Sequence, residues 1–368
     1  MSYGSRHTEV AVRDTLAITE NRPRPKSWVL AVLLGFLSST WVLAGSAPSS
    51  IAYGDRVATL SEPLSRLLAE KDQPNAAGAM GRNRRAYFHV RFQLGLHNLM
   101  NYGIVAQDER AFDAFVSAVE YAFNHQTEAG DFRIFLPPEL EGQVEPGLTD
   151  LASGTAFFAA SLGSALYAWD TSDWVQSAPE LLDRRRRLIE LNPSLEKMLS
   201  YLLDNHTRLM TADQNAPNRL LFTAVALQSL GLRLDSADAL EGARAFVDQA
   251  LSQLAPEGYF IEGGGYDSSY NGVATSLAIR LLMMGYQEEA LASAASDALQ
   301  WQRRKILATG EISTAGNTRV NPNAGETFLG RKKDVDVGQT IEALMMGSVY
   351  FDDRSYLAIA ESVVRFYR

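Results

Sequence analysis

The sequence predicts an all-α protein of the α/α-toroid class. Beyond residue 47, helical periodicity dominates and strand-like alternation is scarce. Two types of predicted helix alternate along the chain, one apolar on every side and the other amphipathic with a charged face. Pairs made of one helix of each type recur along the chain at intervals of roughly 50 to 65 residues. Buried helices inside a layer of amphipathic helices form a toroid, here an incomplete barrel of about five to six helical hairpins.

Each helix type has five predicted members. The apolar helices are expected at 86–102, 150–169, 218–231, 268–285 and 337–351. The amphipathic helices are expected at 109–126, 194–210, 237–254, 288–306 and 354–367. A helix at 58–71 supplies part of a sixth pair, and an extra helix is expected within 170–193. Because helices that are apolar all round are buried, the first set lines the inside of the ring.

Composition indicates a globular protein and restricts its chemistry. The chain has 368 residues, of which 46% are hydrophobic and 10% aromatic, and these fractions are typical of a buried core. The absence of cysteine excludes a disulfide framework, a thiolate metal site and a lipoprotein anchor. Five histidines leave little room for a histidine-rich metal centre. No cofactor is predicted, and a calcium requirement stays open.

The first 47 residues are interpreted as a targeting segment. Basic residues precede an apolar run at 28–44, and small residues follow at 45–47. The run is shorter than the roughly 20 residues of a membrane span, which favours a cleaved signal peptide over an uncleaved anchor. The domain prediction is therefore 1–47 targeting segment, 48–80 linker and first helix, and 81–368 toroid. A periplasmic or secreted protein is expected, in contact with a membrane only if cleavage does not occur.

The charge of the mature part argues against nucleic-acid partners. The targeting segment carries five basic and three acidic residues, so a whole-chain charge of −9 leaves −11 on the remainder. An acidic protein repels polyanions over most of its surface. A polyanionic ligand would therefore need a local group of arginines.

Four long connections lead from amphipathic to apolar helices, at 127–149, 211–217, 257–272 and 307–336. In a toroid these connections share one rim, above the first turns of the inner helices. Long irregular loops in a compact domain are usually functional or disordered. Each of the four carries polar, charged or aromatic side chains, so the sequence predicts a shared cleft on that rim.

The connection at 257–272 is the richest of the four and reads E-G-Y-F-I-E-G-G-G-Y-D-S-S-Y-N-G. Its three consecutive glycines permit backbone conformations that other residues avoid. Asp267 and Ser268 suit the N-cap of the next helix, which places Tyr270 in the first turn. The beginning of a helix favours an anionic ligand because its unpaired N–H groups carry partial positive charge.

An exported toroid with G-x-x-x-E-G-G-G-Y-D-S-S-Y at 258–270 resembles the α/α-toroid polysaccharide lyases, namely the alginate lyases and the heparinase II/III-like family. The resemblance covers most of residues 80–368 as architecture, and 258–270 and 215–219 as motifs. Those families commonly pair Asn-His with a tyrosine at the next inner helix. The matching segment at 213–219 reads D-Q-N-A-P-N-R and has no histidine, so the resemblance leaves the base unassigned.

The resemblance implies β-elimination on a polymer that contains uronic acid. Removal of the proton beside a carboxylate requires donors that neutralise the carboxylate. Three residues suit this role: Asn215, Asn218 and Arg219. A tyrosine serves as base and acid if a nearby cation lowers its pKa. Tyr266 is the first candidate and Tyr270 the second, with Arg319 as the cation or a substrate contact.

Two other functions stay open. A glycoside hydrolase would use two carboxylates. The candidates on the rim loops are Asp267, Glu262, Asp131, Glu326, Asp334 and Asp336. Asp336 also suits the N-cap of the next helix. A noncatalytic glycan-binding or exopolysaccharide-assembly protein would use rim aromatics to stack on sugars. The predicted substrate contacts are Glu262, Arg319, Asn317, Arg133 and Tyr259. A run of arginines at 184–187 is interpreted as a solvated helix face.

Overall fold

A computed structural model of the protein describes residues 51–85, 87–136, 146–321, 325–328 and 331–368. Residues 49–368 form one compact unit. The predicted targeting segment lies outside the described residues, so its nature stays a prediction.

The described residues are mainly α-helical. The first helices are α1 (Tyr53–Val57), α2 (Glu62–Lys71), α3 (Leu96–Ala106), α4 (Glu109–Phe123), α5 (Leu148–Thr171), α6 (Asp173–Ser177), α7 (Leu182–Glu190) and α8 (Asn192–Asp204). They are followed by α9 (His206–Asp213), α10 (Pro217–Leu234), α11 (Ala237–Leu251), α12 (Ser268–Met283), α13 (Glu289–Lys305), α14 (Val337–Tyr350) and α15 (Ser355–Tyr367). Short 3₁₀ helices occupy Gly81–Arg84, Val90–Phe92 and Pro179–Leu181. Strands β1 (Thr327–Phe328) and β2 (Arg331–Lys332) pair antiparallel.

The helices form the predicted toroid. Going round the ring, α3 packs on α5, α5 on α10, α10 on α12 and α12 on α14, while α2 contacts both α14 and α3. Outer helices α4, α11, α13 and α15 pack on α3, α10, α12 and α14 respectively, and α8 packs outside α5. The all-α toroid class is therefore confirmed, with six helices in sequence around the ring.

Burial explains which helices lie inside. Nearly every residue of α5 from Ala152 to Trp169 is buried, including the small residues that let α10 approach closely. A Cβ on Gly163 would lie 2.1 Å from the Ser229 hydroxyl of α10. The helix α5 is also long and apolar enough to cross a membrane, but most of it is buried inside the unit. It is therefore the core helix of the toroid.

A charged network occupies the middle of the ring. His97 of α3 bridges the Ser161 hydroxyl (2.9 Å) and the Glu342 carboxylate (3.3 Å), and Arg280 of α12 pairs with Glu342. Burial alone would raise the pKa of Glu342, but Arg280 and His97 hold it at about 2. Tyr53 of α1 lies near the same charges, and burial raises its pKa. The centre of the toroid is therefore a paired, ionised core.

A repeated turn leads from each of several outer elements back to the ring. In T-E-A-G-D-F (127–132), A-P-E-G-Y-F (255–260) and L-A-T-G-E-I (307–312), the first amide donates to the fifth carbonyl at 2.8 Å. The glycines, Gly130, Gly258 and Gly310, have φ of +96°, +85° and +93°. N-A-A-G-A-M at 75–80 has the same kind of glycine at Gly78, with φ +90°. The turns therefore form a structural repeat that recurs along the chain.

Candidate active site

A cavity of about 200 Å³ opens on the rim where the inner helices begin. Asn218 and Arg219 come from the first turn of α10, Tyr270 from the first turn of α12, and Gln339 from the first turn of α14. The partial positive charges of these helix starts all lie near one space. The cavity is smaller than the roughly 300–1,000 Å³ of a drug-sized ligand site, so it suits one small anionic group or one sugar unit.

Four cationic side chains line this cavity: Arg91, Arg219, Arg319 and Lys333. Burial lowers the pKa of Arg91, and the positive charge of Arg219 lowers it further. Arg219 itself pairs with the buried carboxylate of Asp213 at 3.1 Å. Burial raises the pKa of Asp213, an effect that the Arg219 charge opposes. Guanidinium and ammonium groups on the cavity wall are suited to contact an anionic group of a ligand, although Arg219, Arg319 and Lys333 also pair with carboxylates of the protein.

The phenol of Tyr270 is held by two cations. Lys333 Nζ donates to Tyr270 Oη at 2.6 Å, and the Arg319 guanidinium carbon lies 4.1 Å from the centre of the Tyr270 ring. Burial raises the pKa of Tyr270, although Lys333 and Arg319 act in the opposite direction. The phenol is therefore protonated at neutral pH, which suits it to donate a proton.

Glu326 holds these cations in place. Its two carboxylate oxygens accept from Arg319 Nε at 2.7 Å and from Lys333 Nζ at 2.6 Å. Burial would raise the pKa of Glu326, but hydrogen bonds from the two cations bring it down to about 2. Arg319 also pairs with buried Glu262. The carboxylate of Glu326 is therefore fixed in its ionised form.

An apolar wall faces the same space. The rings of Phe157 and Phe222 lie 4.4 Å apart, and both line the cavity. The guanidinium carbon of Arg91 lies 5.3 Å from the centre of the Phe157 ring. Aromatic faces beside polar groups are a common way to hold a sugar ring.

Two amides, Asn218 and Gln339, and one carboxylate, Asp336, complete the polar lining. Asn218 is buried, and its Oδ1 has no hydrogen-bond partner among the described residues. Asp336 caps α14, where Oδ1 accepts from Gln339 N at 3.1 Å, and lies 4.0 Å from Lys71 Nζ. A buried polar atom without a partner is costly, so a ligand that donates to Asn218 would be favoured.

Of the predicted catalytic residues, Tyr270, Asn218 and Arg219 line the cavity, as does the predicted contact Arg319. Tyr266 does not line it. The Tyr266 hydroxyl donates to Ala315 O at 2.9 Å, and its ring packs against Tyr259 and Trp301. Tyr266 and Tyr259 therefore form an aromatic group on the rim, separate from the cavity.

Asp267 supports the loop instead of lining the cavity. It is the predicted N-cap of α12, and Oδ1 accepts from Ser269 N at 3.0 Å and Tyr270 N at 3.2 Å. Its other oxygen accepts from Arg319 N at 2.9 Å and Val320 N at 2.7 Å. The carboxylate of Asp267 thus ties the 257–272 loop to the next loop and positions both Tyr270 and Arg319.

The remaining predicted contacts lie at other places on the rim. Asn317 is buried, accepts from Ser268 N at 2.9 Å and donates to Val320 O at 3.1 Å, so it also supports the loop. Asn215 is exposed in the turn between α9 and α10, and Arg133 is exposed on the first rim loop. None of these three residues lines the cavity.

Arg91 and Lys333 belong to the cavity but were not predicted from the sequence. Arg91 falls within the helix predicted at 86–102, whereas α3 begins only at Leu96, after Gly95 with φ +94°. Arg91 lies instead in the 3₁₀ helix Val90–Phe92, which the turn at this left-handed residue separates from α3. Lys333 stands in R-K-K-D within a long predicted loop, where nothing distinguishes it from its neighbours.

Across the described part of the chain, no group of three or more histidine and acidic side chains is arranged to hold a metal ion. Among the charged side chains that line the cavity, four are cationic and one is acidic, which favours an anionic ligand over a cation.

Comparisons with known proteins find similarity to solved structures at low sequence identity, and to no family model or curated protein. A D-mannose isomerase is similar at 13% identity and TM-score 0.47, covering 87% of each chain. An unsaturated glucuronyl hydrolase from Bacillus sp. GL1, responsible for glycosaminoglycan degradation, shows 11% identity and TM-score 0.46 over 86% of this chain and 83% of that one. A sugar epimerase from a ruminal bacterium shows 11% identity and TM-score 0.44 over 83% and 87%.

Similarity of this extent assigns neither a family nor a reaction. The packing of its helices shows that the protein is an all-α toroid. A cavity lined by cationic and aromatic side chains lies on one rim. The side chains in that cavity determine the chemistry that it can perform.

Proposed function

We propose that the protein is a polysaccharide lyase that cleaves a polymer containing uronic acid by β-elimination. The observation that carries the proposal is the convergence of Arg91, Arg219 and Asn218 on a cavity that also holds the Tyr270–Lys333 pair. The proposal includes export to the periplasm or the medium, supported by the apolar segment at 28–44.

The cationic part of the cavity suits the substrate carboxylate. Arg91 and Arg219 repel each other across the lining, and a bound carboxylate relieves that repulsion. Asn218 lines the same cavity, and the NH₂ group of its side chain, unlike its unpaired Oδ1, is a further donor for the carboxylate. Donors placed in advance around a developing enolate lower the barrier to removal of the neighbouring proton.

The proton transfers are assigned to Asp336 and Tyr270. The carboxylate of Asp336 takes the proton from the carbon that bears the substrate carboxylate, and the electron pair forms a double bond to the next carbon. The bond from that carbon to the glycosidic oxygen breaks, and Tyr270 donates its proton to the departing oxygen. Lys333 stabilises the phenolate that is left, because its ammonium group lies 2.6 Å from Tyr270 Oη.

Hydrolysis by paired carboxylates has weaker support. Among the described residues, Asp336 is the one acidic side chain that lines the cavity. Glu326 lies beside Tyr270, but its pKa of about 2 keeps it ionised and unable to donate a proton near neutral pH. A glycosidase needs both a protonated and an ionised carboxyl group at the scissile bond.

The test is an activity screen with two simultaneous readouts. Purified protein is incubated with uronate-containing and neutral polysaccharides, and both the ultraviolet absorbance of unsaturated uronate and the number of reducing ends are followed. We expect both signals to rise on a uronate polymer. Reducing ends without absorbance would establish hydrolysis instead, and neither signal would favour noncatalytic glycan binding.

Two matched tyrosine variants locate the acid. Tyr270→Phe should lower the lyase rate by roughly 10²- to 10⁴-fold, the usual contribution of a positioned acid or base. Tyr266→Phe should leave the rate near that of the wild type, because its hydroxyl bonds to Ala315 O away from the cavity. The opposite result would transfer the role to Tyr266. Circular dichroism checks that both variants remain folded.

A further inference from the structure

A second cavity, of about 560 Å³, lies at the opposite ends of the helices that begin at the candidate active site. Leu232 belongs to the last turn of α10, and Gly285 follows the end of α12. The first turns of the same two helices carry Arg219 and Tyr270. Because an α-helix rises about 1.5 Å per residue, roughly 20 Å separates Arg219 from Leu232 along α10. This second space is here named the distal cavity, and the proposed reaction does not use it.

One buried side chain of the distal cavity carries polar atoms without a partner. Gln228 of α10 is 7% exposed, and its side chain forms no hydrogen bond with the residues that the structure describes. Its amide atoms are not sealed from solvent, so they face the cavity that the side chain lines. Because a buried amide without partners is costly, a ligand that hydrogen-bonds to it would be favoured.

The charged groups of the distal cavity lie close to a buried phenol. Burial and the carboxylates of Glu288 and Asp248 raise the pKa of Tyr286, whereas the Arg244 charge opposes the rise. The phenol is therefore protonated at neutral pH. The three charged side chains line the cavity and form no salt bridge within the described part of the chain. Their hydrogen-bonding groups are therefore available to a ligand.

The charge of the distal cavity differs from that of the candidate active site. Two carboxylates and one guanidinium line the distal cavity, whereas four cations and one carboxylate line the active-site cavity. A lining with a net negative charge disfavours a polyanion. The ligand of the distal cavity is therefore different from the uronate polymer of the proposed reaction.

We propose that the distal cavity binds an uncharged sugar of one or two units. Sugar hydroxyls both donate and accept, so they can donate to the two carboxylates and accept from the guanidinium and from Gln228. Leu232 and Leu240 supply apolar surface for the carbon face of the ring. Gly285 leaves space for it, since a Cβ there would meet nothing within 4 Å. The volume lies within the roughly 300–1,000 Å³ of small-ligand sites. The protein would thus hold a neutral glycan while its active site stays free.

The test is saturation-transfer NMR of the purified protein with glucose, galactose, mannose, maltose, cellobiose and lactose. At least one of these sugars should bind with a Kd in the roughly millimolar range, the scale expected for so small a ligand. Gln228→Leu and Asp248→Ala should each weaken that binding by about tenfold, because each removes hydrogen bonds to the sugar. The matched control is Glu241→Ala, which removes another exposed acid of α11 outside the cavity and should bind as the wild type.

Every other outcome contradicts the proposal. No transfer to any of the six sugars would overturn it, and so would binding that survives both cavity substitutions. Asp248 is exposed, so its variant guards against misfolding of Gln228→Leu. Displacement of the sugar by free lysine or by a uronate dimer would overturn the ligand class. Tyr270→Phe should bind the sugar as the wild type does, so a failure of the proposed lyase reaction leaves this test unaffected.

Discussion

Asp336 is both the proposed base and the N-cap of α14, and two substitutions separate these roles. Asn caps helices about as well as Asp, whereas Ala does not. Asp336→Asn should therefore abolish most of the activity without changing the free energy of unfolding. Asp336→Ala should lose activity and also about 1 kcal/mol of stability. Rates and urea denaturation of both variants give the measurement, and a fully active Asp336→Asn protein would exclude the carboxylate as base.

At the residue scale, four of the twelve residues that line the cavity were predicted from the sequence as catalytic or substrate-binding. Asn218, Arg219, Tyr270 and Arg319 were found because helix-start and loop signals placed them on one rim. Tyr266 was the first candidate for the catalytic tyrosine of β-elimination. The orientation of its ring depends on packing against Trp301 of α13, and no local sequence pattern encodes that contact. Contacts of this kind are set by tertiary packing.

At the scale of elements, the repeated rim turn requires glycine for two reasons. Gly310 has φ +93°, and a Cβ there would lie 2.0 Å from Ser362 O on α15. Gly285 has a similar φ of +89°, but a Cβ there would meet nothing within 4 Å. Both substitutions incur the left-handed penalty of about 1–2 kcal/mol, and the first also displaces backbone.

Gly310→Ala should therefore destabilise the protein by about 1–3 kcal/mol more than Gly285→Ala, the usual range for overpacking. Thermal and urea denaturation of the two variants measure the difference. Equal losses would show that α15 moves aside at no cost and that only the backbone angle matters at Gly310.

Most helices could be predicted because their apolar pattern is long and regular. The helix expected at 194–210 is divided into α8 and α9 at Asn205, whose side chain donates to Tyr201 O at 2.9 Å. Asn competes with the backbone for such bonds and commonly ends helices. The turn repeat was missed because its members share only a glycine and an apolar residue two positions later.

At the scale of the whole molecule, the buried network of His97, Arg280 and Glu342 joins three inner helices at the centre of the ring. Glu342→Gln leaves Arg280, which is 1% exposed, without its counter-charge. The expected cost is about 3–5 kcal/mol, measured by urea denaturation. Arg280→Met/Glu342→Met should recover most of that loss, because removing both charges also removes the need to solvate either of them. Glu361→Gln on the exposed face of α15 is the control and should have little effect.

The same network makes stability depend on pH. The pKa of Glu342 in the folded protein, about 2, lies below its usual value of 4.5, so the carboxylate stabilises the fold fully above pH 4.5. That contribution is lost as the pH falls from 4.5 toward 2. The free energy of unfolding should therefore fall less steeply in this interval for the double methionine variant than for the wild type. Parallel slopes would show that other carboxylates govern acid unfolding.

The closure of the ring by α2 has a consequence for motion. The helix α2 contacts α14 less extensively than it contacts α3, so the weakest junction of the ring lies between the two ends of the toroid sequence. Gly338 lets Lys71 approach there, and Lys71 lies 4.0 Å from Asp336 at the edge of the cavity. Amide hydrogen exchange should begin at this junction, since sub-global opening starts where fewest contacts are broken. Opening of the junction between α2 and α14 would then displace Asp336 and change the shape of the cavity that it lines.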